Sequence, residues 1–355
     1  MTSHLPRPDR ADGTSQTDRT DRIAQTEQTA QTAQTAQAAQ AAQTEWTEHV
    51  LVRDGVRLSC RDWGDGGGGG GRSDWGGGGG RGGETGPHGP VVPADGTGPA
   101  GPPRSLLLLH GLAGQAGEWD ALARLLRADG HRVVALDQRG HGASERRPAD
   151  TSRAAYVADI IAVLDDPELG LACGPGGLPP VLVGQSYGGH AAFLAAAAHS
   201  SRLAGAVLVE AGPGPAEPGV PEEIGGWLRA WPVPFPSREA AAAYLGGGPV
   251  GDGWAGGLEQ RDGGWWPRFD PEVMVASLAE NSGRDWWAEW AAIGVPLLSV
   301  IGEKGIVEGD EYDGMARLQP GLRGACLPGA GHDLHLERPD VLHELVARFL
   351  DELPR

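Results

Sequence analysis

Cysteine is scarce. Three in 355 residues, Cys60, Cys173 and Cys326, lie too far apart for metal-ligand or redox-motif spacing. They read as buried apolar thiols. Positive charge is also short: 29 Lys and Arg against 47 Asp and Glu leave a net charge of −18. Nucleic acid is thereby excluded as a partner, because binding phosphate needs a cationic surface that releases counterions. Anionic membrane surfaces are disfavoured for the same reason. Long hydrophobic runs are missing too. The longest stretch of leucine, isoleucine or valine, Leu106 to Leu109, is far too short to span a bilayer. Arg7 and Arg10 are followed by polar sequence and not by an apolar segment, so nothing there resembles a secretory leader. These absences point to a soluble, cytoplasmic protein. No feature of the sequence sets an oligomeric state.

Glycine and proline, by contrast, are abundant at 59 and 28 residues, and much of the excess falls in one block. Residues 1–45 form a Gln/Thr/Ala-rich tail with no apolar stripe to bury, so disorder is expected there. A single domain is expected over residues 46–355. It opens with two runs of strand-forming residues around Asp54-Gly55, a dipeptide suited to a two-residue hairpin turn. Residues 65–103 read as a Gly-rich flexible insertion. They lack the lysine and the strand-to-helix setting of a phosphate-binding loop.

From Ser105 onward strands alternate with helices. Apolar runs at 106–110, 131–136, 180–183, 204–209, 296–301 and 322–327 read as strands. Helical patterns cover 118–128, 154–164, 187–199, 311–318 and 339–353. Such alternation implies an α/β fold, a mostly parallel sheet with helices on both faces. The pattern lapses over 211–293, a stretch rich in Pro, Gly and Trp that reads as an insertion.

The chemistry gathers at strand ends. Gly184-Gln185-Ser186-Tyr187-Gly188 falls between a strand and a helix, the nucleophile-elbow pattern in which a tight turn lifts a serine out of the sheet. A serine hydroxyl needs a base to take its proton. His332, in Pro328-Gly-Ala-Gly-His332 after the last strand, is the candidate. His335 competes, but Asp333 and Leu334 separate it from the glycine turn. His110-Gly111-Leu112 ends the first parallel strand. The N–H groups of Leu112 and Tyr187 are candidates for an oxyanion hole. His110 braces this loop, and the remaining histidines read as surface residues.

In this order, His110-Gly111, the segment from Asp137 to Ser144 (Asp-Gln-Arg-Gly-His-Gly-Ala-Ser), Gly184–Gly188 and Gly331-His332 resemble the α/β-hydrolase superfamily. The resemblance is to its single-domain, cap-bearing branch of esterases, lactonases, haloperoxidase-like enzymes and C–C bond hydrolases, and it covers about residues 47–354. It implies an α/β-hydrolase fold, a Trp-rich cap at 211–293 and a structural role for the Asp137–Ser144 loop. It also implies a triad acid after the penultimate strand, and there the sequence departs. Ile301-Gly-Glu-Lys-Gly305 carries glycine at the expected position. Glu210, ending an otherwise apolar strand, is the favoured replacement, since a carboxylate there is costly to bury without a partner. Glu303, Glu308 and Asp310 are local alternatives, and an incomplete triad is the third.

The expected activity is serine hydrolysis of a small ester, lactone or thioester with an apolar acyl or ring group, through an acyl-enzyme. No metal or organic cofactor is implied. C–C bond hydrolysis or cofactor-free haloperoxidase-like chemistry on the same residues is the alternative within enzymes. A non-catalytic binding protein of the same fold is the alternative outside them. Epoxide hydrolase and haloalkane dehalogenase are disfavoured, because both need aspartate where Ser186 stands.

Overall fold

In the computed structural model, residues 45–64 and 101–354 are described, save 173, 175 and 176. The expected tail, almost all of the Gly-rich insertion and Cys173 therefore lie outside the described residues. From Glu48 onward the described chain forms one compact unit.

The first two strands, β1 (Thr47–Arg53) and β2 (Val56–Asp62), flank the Asp54-Gly55 turn. Both turn residues have positive φ, 50° and 77°, as a two-residue hairpin turn of the favoured hand requires. Next come β3 (Ser105–Leu109), helix α1 (Asp120–Ala128), β4 (Arg132–Asp137) and α2 (Arg153–Asp165). They are followed by β5 (Val181–Gln185), α3 (Tyr187–Ala198) and β6 (Gly205–Val209). Each element lies within two residues of its sequence-based bounds, with one exception. The turn before α1 winds as a 3-10 helix over Ala116–Trp119. Helix α2 stops where Pro167 forbids its continuation: Asp166 is already extended, at φ −65° and ψ 118°.

The segment that follows β6 is less irregular than its composition suggests. It holds α4 (Val220–Arg229), α5 (Arg238–Tyr244), α6 (Gly248–Gly256), the small hairpin β7 (Glu259–Arg261) and β8 (Gly264–Trp266), α7 (Pro271–Ala279) and α8 (Trp287–Ala291). The chain returns to the sheet with β9 (Leu297–Gly302), α9 (Gly309–Leu318) and β10 (Arg323–Leu327). It ends with the short α10 (Leu334–Glu337) and α11 (Pro339–Asp351).

The eight-stranded sheet runs β1-β2-β4-β3-β5-β6-β9-β10. Strand β2 pairs antiparallel to β4, and every pair from β4 to β10 is parallel. In β3, β4, β5, β6 and β9 every residue is buried. Successive strand residues face opposite sides, so both faces of the sheet are covered. Helices α2 and α3 pack together, as do α1 and α11. Cys60 is buried, but Cys326 is only half-buried, which corrects the reading of both as core thiols. It sits on β10, the sheet edge, where one neighbouring strand is missing.

The tryptophans of the insertion fall into two sets. Trp286 and Trp290 join the main core beside α3. Trp231 centres a second core with Leu228, Phe235, Phe269 and Met274, while Trp227 and Trp254 stack edge-on against it.

Candidate active site

Parallel strands bring their C-terminal ends to one edge of the sheet, where loops can converge on a ligand. Residues following β3, β5, β6, β9 and β10 meet here, around a cavity of about 630 Å³. Ser186, His332, Glu210, Leu112 and Tyr187 all line it.

Ser186 links β5 to α3 with φ 50° and ψ −115°, a backbone that L-residues avoid. The turn closes because its flanks are glycine. A Cβ on Gly188 would collide with the carbonyl oxygens of Leu109 and His110. Ser186 N–H donates to Val209 O at 2.8 Å, which ties the elbow to the next strand. Tyr187 is the first residue of α3, so its N–H is one of the helix's free terminal donors beside Ser186.

His332 follows β10, and its side chain remains 34% exposed. Its Nδ1 lies 3.3 Å from Oε2 of Glu210. The Glu210 side chain is fully buried and its backbone also has a positive φ, 52°. One carboxylate oxygen accepts from Gly302 N–H at 2.6 Å and the other from Ile306 N–H at 2.6 Å. Gly305, where the resemblance expects an aspartate, lies against this carboxylate. A Cβ on Gly305 would overlap both Glu210 oxygens and their carbon. The carboxylate of Glu210 thus occupies the space that a side chain at position 305 would fill. Glu303, Glu308 and Asp310 are all exposed, and none lines the cavity.

Sequence reasoning missed Gln185. Its side-chain amide donates to His332 O at 3.0 Å and lies 3.3 Å from His332 Nε2, so it holds the histidine loop to the elbow. Its variable position within the elbow pattern concealed it.

The histidines also need correction. His110 braces its loop as expected: its Nδ1 donates to Gly111 O at 2.7 Å, and its Nε2 accepts from Gln138 N–H at 3.1 Å. His131, His141, His190 and His335, however, are buried and not on the surface. Burial pushes His110 and His335 down to about 4 and His141 to about 3, so these rings are neutral packing groups at neutral pH. His335 stacks on Trp119 and lies 3.5 Å from Glu118, away from the cavity wall. The loop from Asp137 to Ser144 is structural. Asp137 accepts from the N–H groups of Ala116 and Ala143 at 2.6 and 2.8 Å.

Besides Glu210, three carboxyls line the cavity, Asp333, Glu118 and Glu311. Burial pushes Glu118 and Glu311 upward. Asp333 adds to the rise at Glu118, and the neighbouring Glu308 and Glu210 add to that at Glu311. Among the described residues, no cluster of His, Cys, Asp and Glu could hold a metal ion, and no helix is long and apolar enough to cross a membrane.

Comparison with known proteins agrees with this geometry. The profile of the alpha/beta hydrolase family matches residues 106–345. Esterase YbfF of Escherichia coli K12 is 27% identical over 251 residues, 70% of this chain and 93% of that protein. The sn-1-specific diacylglycerol lipase ABHD11 of Mus musculus is 26% identical over 271 residues, covering 69% and 80% of the two chains. Among solved structures, an E-2-(acetamidomethylene)succinate hydrolase superposes with a TM-score of 0.65 at 20% identity, over 86% of this chain and 99% of that one. With the family profile covering two-thirds of the sequence, the chain is a hydrolase that belongs to the alpha/beta hydrolase family.

Proposed function

We propose that the protein is a serine hydrolase that cleaves a small carboxylic ester, lactone or thioester through an acyl-enzyme on Ser186. The observation that carries this reading is the fit of Glu210 into the space left by Gly305, with His332 Nδ1 at 3.3 Å. A family position lacking its acid would otherwise favour a non-catalytic binding protein. The names of two relatives, an esterase and a diacylglycerol lipase, support ester cleavage.

In this mechanism Ser186 Oγ attacks the carbonyl carbon while His332 Nε2 takes the hydroxyl proton. In the structure that nitrogen lies 3.3 Å from the Gln185 amide, and the reaction requires it to turn to Ser186. Unliganded sites commonly hold such loose contacts, which tighten around the substrate. Glu210 accepts from Nδ1–H, fixing the tautomer and stabilising the imidazolium that forms. The N–H groups of Leu112 and Tyr187 hold the oxyanion, a contribution of about 3 kcal/mol per donor in comparable sites. His332 then protonates the leaving group and activates the water that releases the acyl group. The insertion at 211–293 acts as a cap. Its Trp227 and Trp254 wall the cavity beside Leu112 and Ile306, which suits an apolar acyl or ring group.

A fluorophosphonate probe tests the assignment directly. The native protein is expected to label, Ser186→Ala to be silent, and His332→Ala and Glu210→Gln to label far more slowly. Labelling of Glu210→Gln at the native rate would remove Glu210 from the triad. A folded native protein that does not label would remove the hydrolase mechanism altogether.

A further inference from the structure

The residue within the cavity that the mechanism leaves unused is Arg153. It is the one arginine or lysine lining the cavity among the described residues. Arg153 is 2% exposed. Its guanidinium lies 3.7 Å from the centre of the Tyr187 ring, next in sequence to Ser186. Its Nε donates to Asn281 Oδ1 at 3.0 Å. Among the described residues neither terminal nitrogen, Nη1 nor Nη2, has a hydrogen-bond partner, and the side chain forms no ion pair with a carboxylate. Glu280 comes near but is engaged by the backbone N–H of Arg153 at 2.7 Å and by Arg284 at 3.4 Å.

Three costs converge on this side chain. A buried cation without a counter-ion is strongly disfavoured. A guanidinium that leaves two donors unmade forfeits their solvation. And Arg153 is the first residue of α2, directly after its Ser152 cap, where the helix end already carries partial positive charge. A structural residue has no reason to combine all three, whereas a binding residue does. Stacking on Tyr187 and the bond to Asn281 fix the plane of the guanidinium. The free edge is the two-pronged fork that matches a carboxylate. His190 lines the same cavity with both ring nitrogens unpartnered, and burial keeps it neutral, so one N–H remains to donate. Away from the triad, Gln185 and the carboxyls Glu118, Glu311 and Asp333, the rest of the wall is largely apolar.

We infer that Arg153 is a specificity determinant that binds a carboxylate on the substrate. The preferred substrate is then an ester or lactone with an apolar body and a free carboxylate remote from the bond that is cleaved. This rests on the reading of the cavity as the hydrolytic site.

The test compares the monoethyl and diethyl esters of succinate, adipate and suberate, with ethanol release measured for the native protein, Arg153→Met and Arg153→Lys. The native protein is expected to favour the half-ester at one or more chain lengths. Arg153→Met should cut that preference by about 10- to 100-fold, mainly through KM, the range for a hydrogen bond to a charged group. Arg153→Lys, which keeps the charge but not the fork, should fall between. Should Arg153→Met not fold, the preference of the native protein decides alone. In parallel, adipate is titrated into Ser186→Ala by calorimetry. Adipate binding without cleavage of any ester would leave the anion pocket standing and overturn the hydrolase reading. Cleavage with no half-ester preference and no adipate binding would overturn the pocket and leave the hydrolase reading intact. An equal loss on both ester types in Arg153→Met would reduce Arg153 to a structural role.

Discussion

One added methyl group at position 305 would press on the carboxylate that holds His332. Gly305→Ala is therefore expected to lower kcat by at least about 100-fold with little change in KM, because orientation of the base matters in the transition state and not in binding. Steady-state kinetics on any ester that the native protein cleaves will read this. Glu210→Gln should cost about 1,000- to 10,000-fold in kcat, the scale known for a triad acid turned amide. It also turns an amide NH2 toward the N–H of Gly302 or Ile306, so unfolding should shift with activity. The combination Glu210→Gly with Gly305→Asp moves the acid to the family's usual place, and glycine suits the positive φ at 210. Recovery of part of the lost rate would show that the two positions exchange a single carboxyl. Glu210 was legible in the sequence as a carboxylate ending an apolar strand. Arg153 and Gln185 were not, because burial and the direction of a side chain have no signature in a residue's neighbours along the chain.

At the level of elements, the central strands were legible because strands buried on both faces are short, unbroken apolar runs. The insertion was opaque for the opposite reason. Helix α6 reads Gly-Pro-Val-Gly-Asp-Gly-Trp-Ala-Gly, and four glycines in nine residues oppose a helix by propensity. Its packing against α5 and the Trp231 core overrides that cost. A different device joins α2 to the loop after β4. Arg139 forms a bidentate pair with Asp159 at 2.6 and 2.7 Å, both side chains 2% exposed, and Arg53 adds a third contact at 3.1 Å. Removing the acid strands a buried cation. Asp159→Ala should lower stability by about 3–5 kcal/mol in urea unfolding. A loss below about 1 kcal/mol would mean that water replaces the pair.

For the whole molecule, the buried histidines set the response to acid. His110, His131, His141, His190 and His335 all have lowered values, chiefly through burial. The unfolded chain takes up protons on them near pH 6.5, while the folded chain does not. Their contribution is complete above that pH and is lost as pH falls below it, at about 1.4 kcal/mol per pH unit for each ring that stays neutral in the fold. The loss runs to about 4 for His110 and His335 and to about 3 for His141. Glu118, Asp137 and Glu311 act in the opposite sense. Their folded values are raised, so they favour the fold in acid and lose that contribution as pH rises. Five rings outnumber three carboxyls, and the midpoint of thermal unfolding is expected to drop between pH 7 and pH 5. A flat or rising midpoint would show that the carboxyls govern the balance.

Glu210 is also the last residue before the insertion begins. Its backbone N–H donates to Val300 O at 2.9 Å, and both side-chain oxygens are held by backbone donors on the β9 side. The acid is thus clamped to the sheet, upstream of everything that follows until β9. On the proposed mechanism, the part of that stretch before Trp286 is the exchangeable one, since Trp286 and Trp290 already belong to the main core. If Glu210 is the triad acid, a new wall for the cavity can be grafted at this reinforced seam while the acid keeps its place, with Arg153 on α2 left as the part of the selectivity that does not travel with the graft.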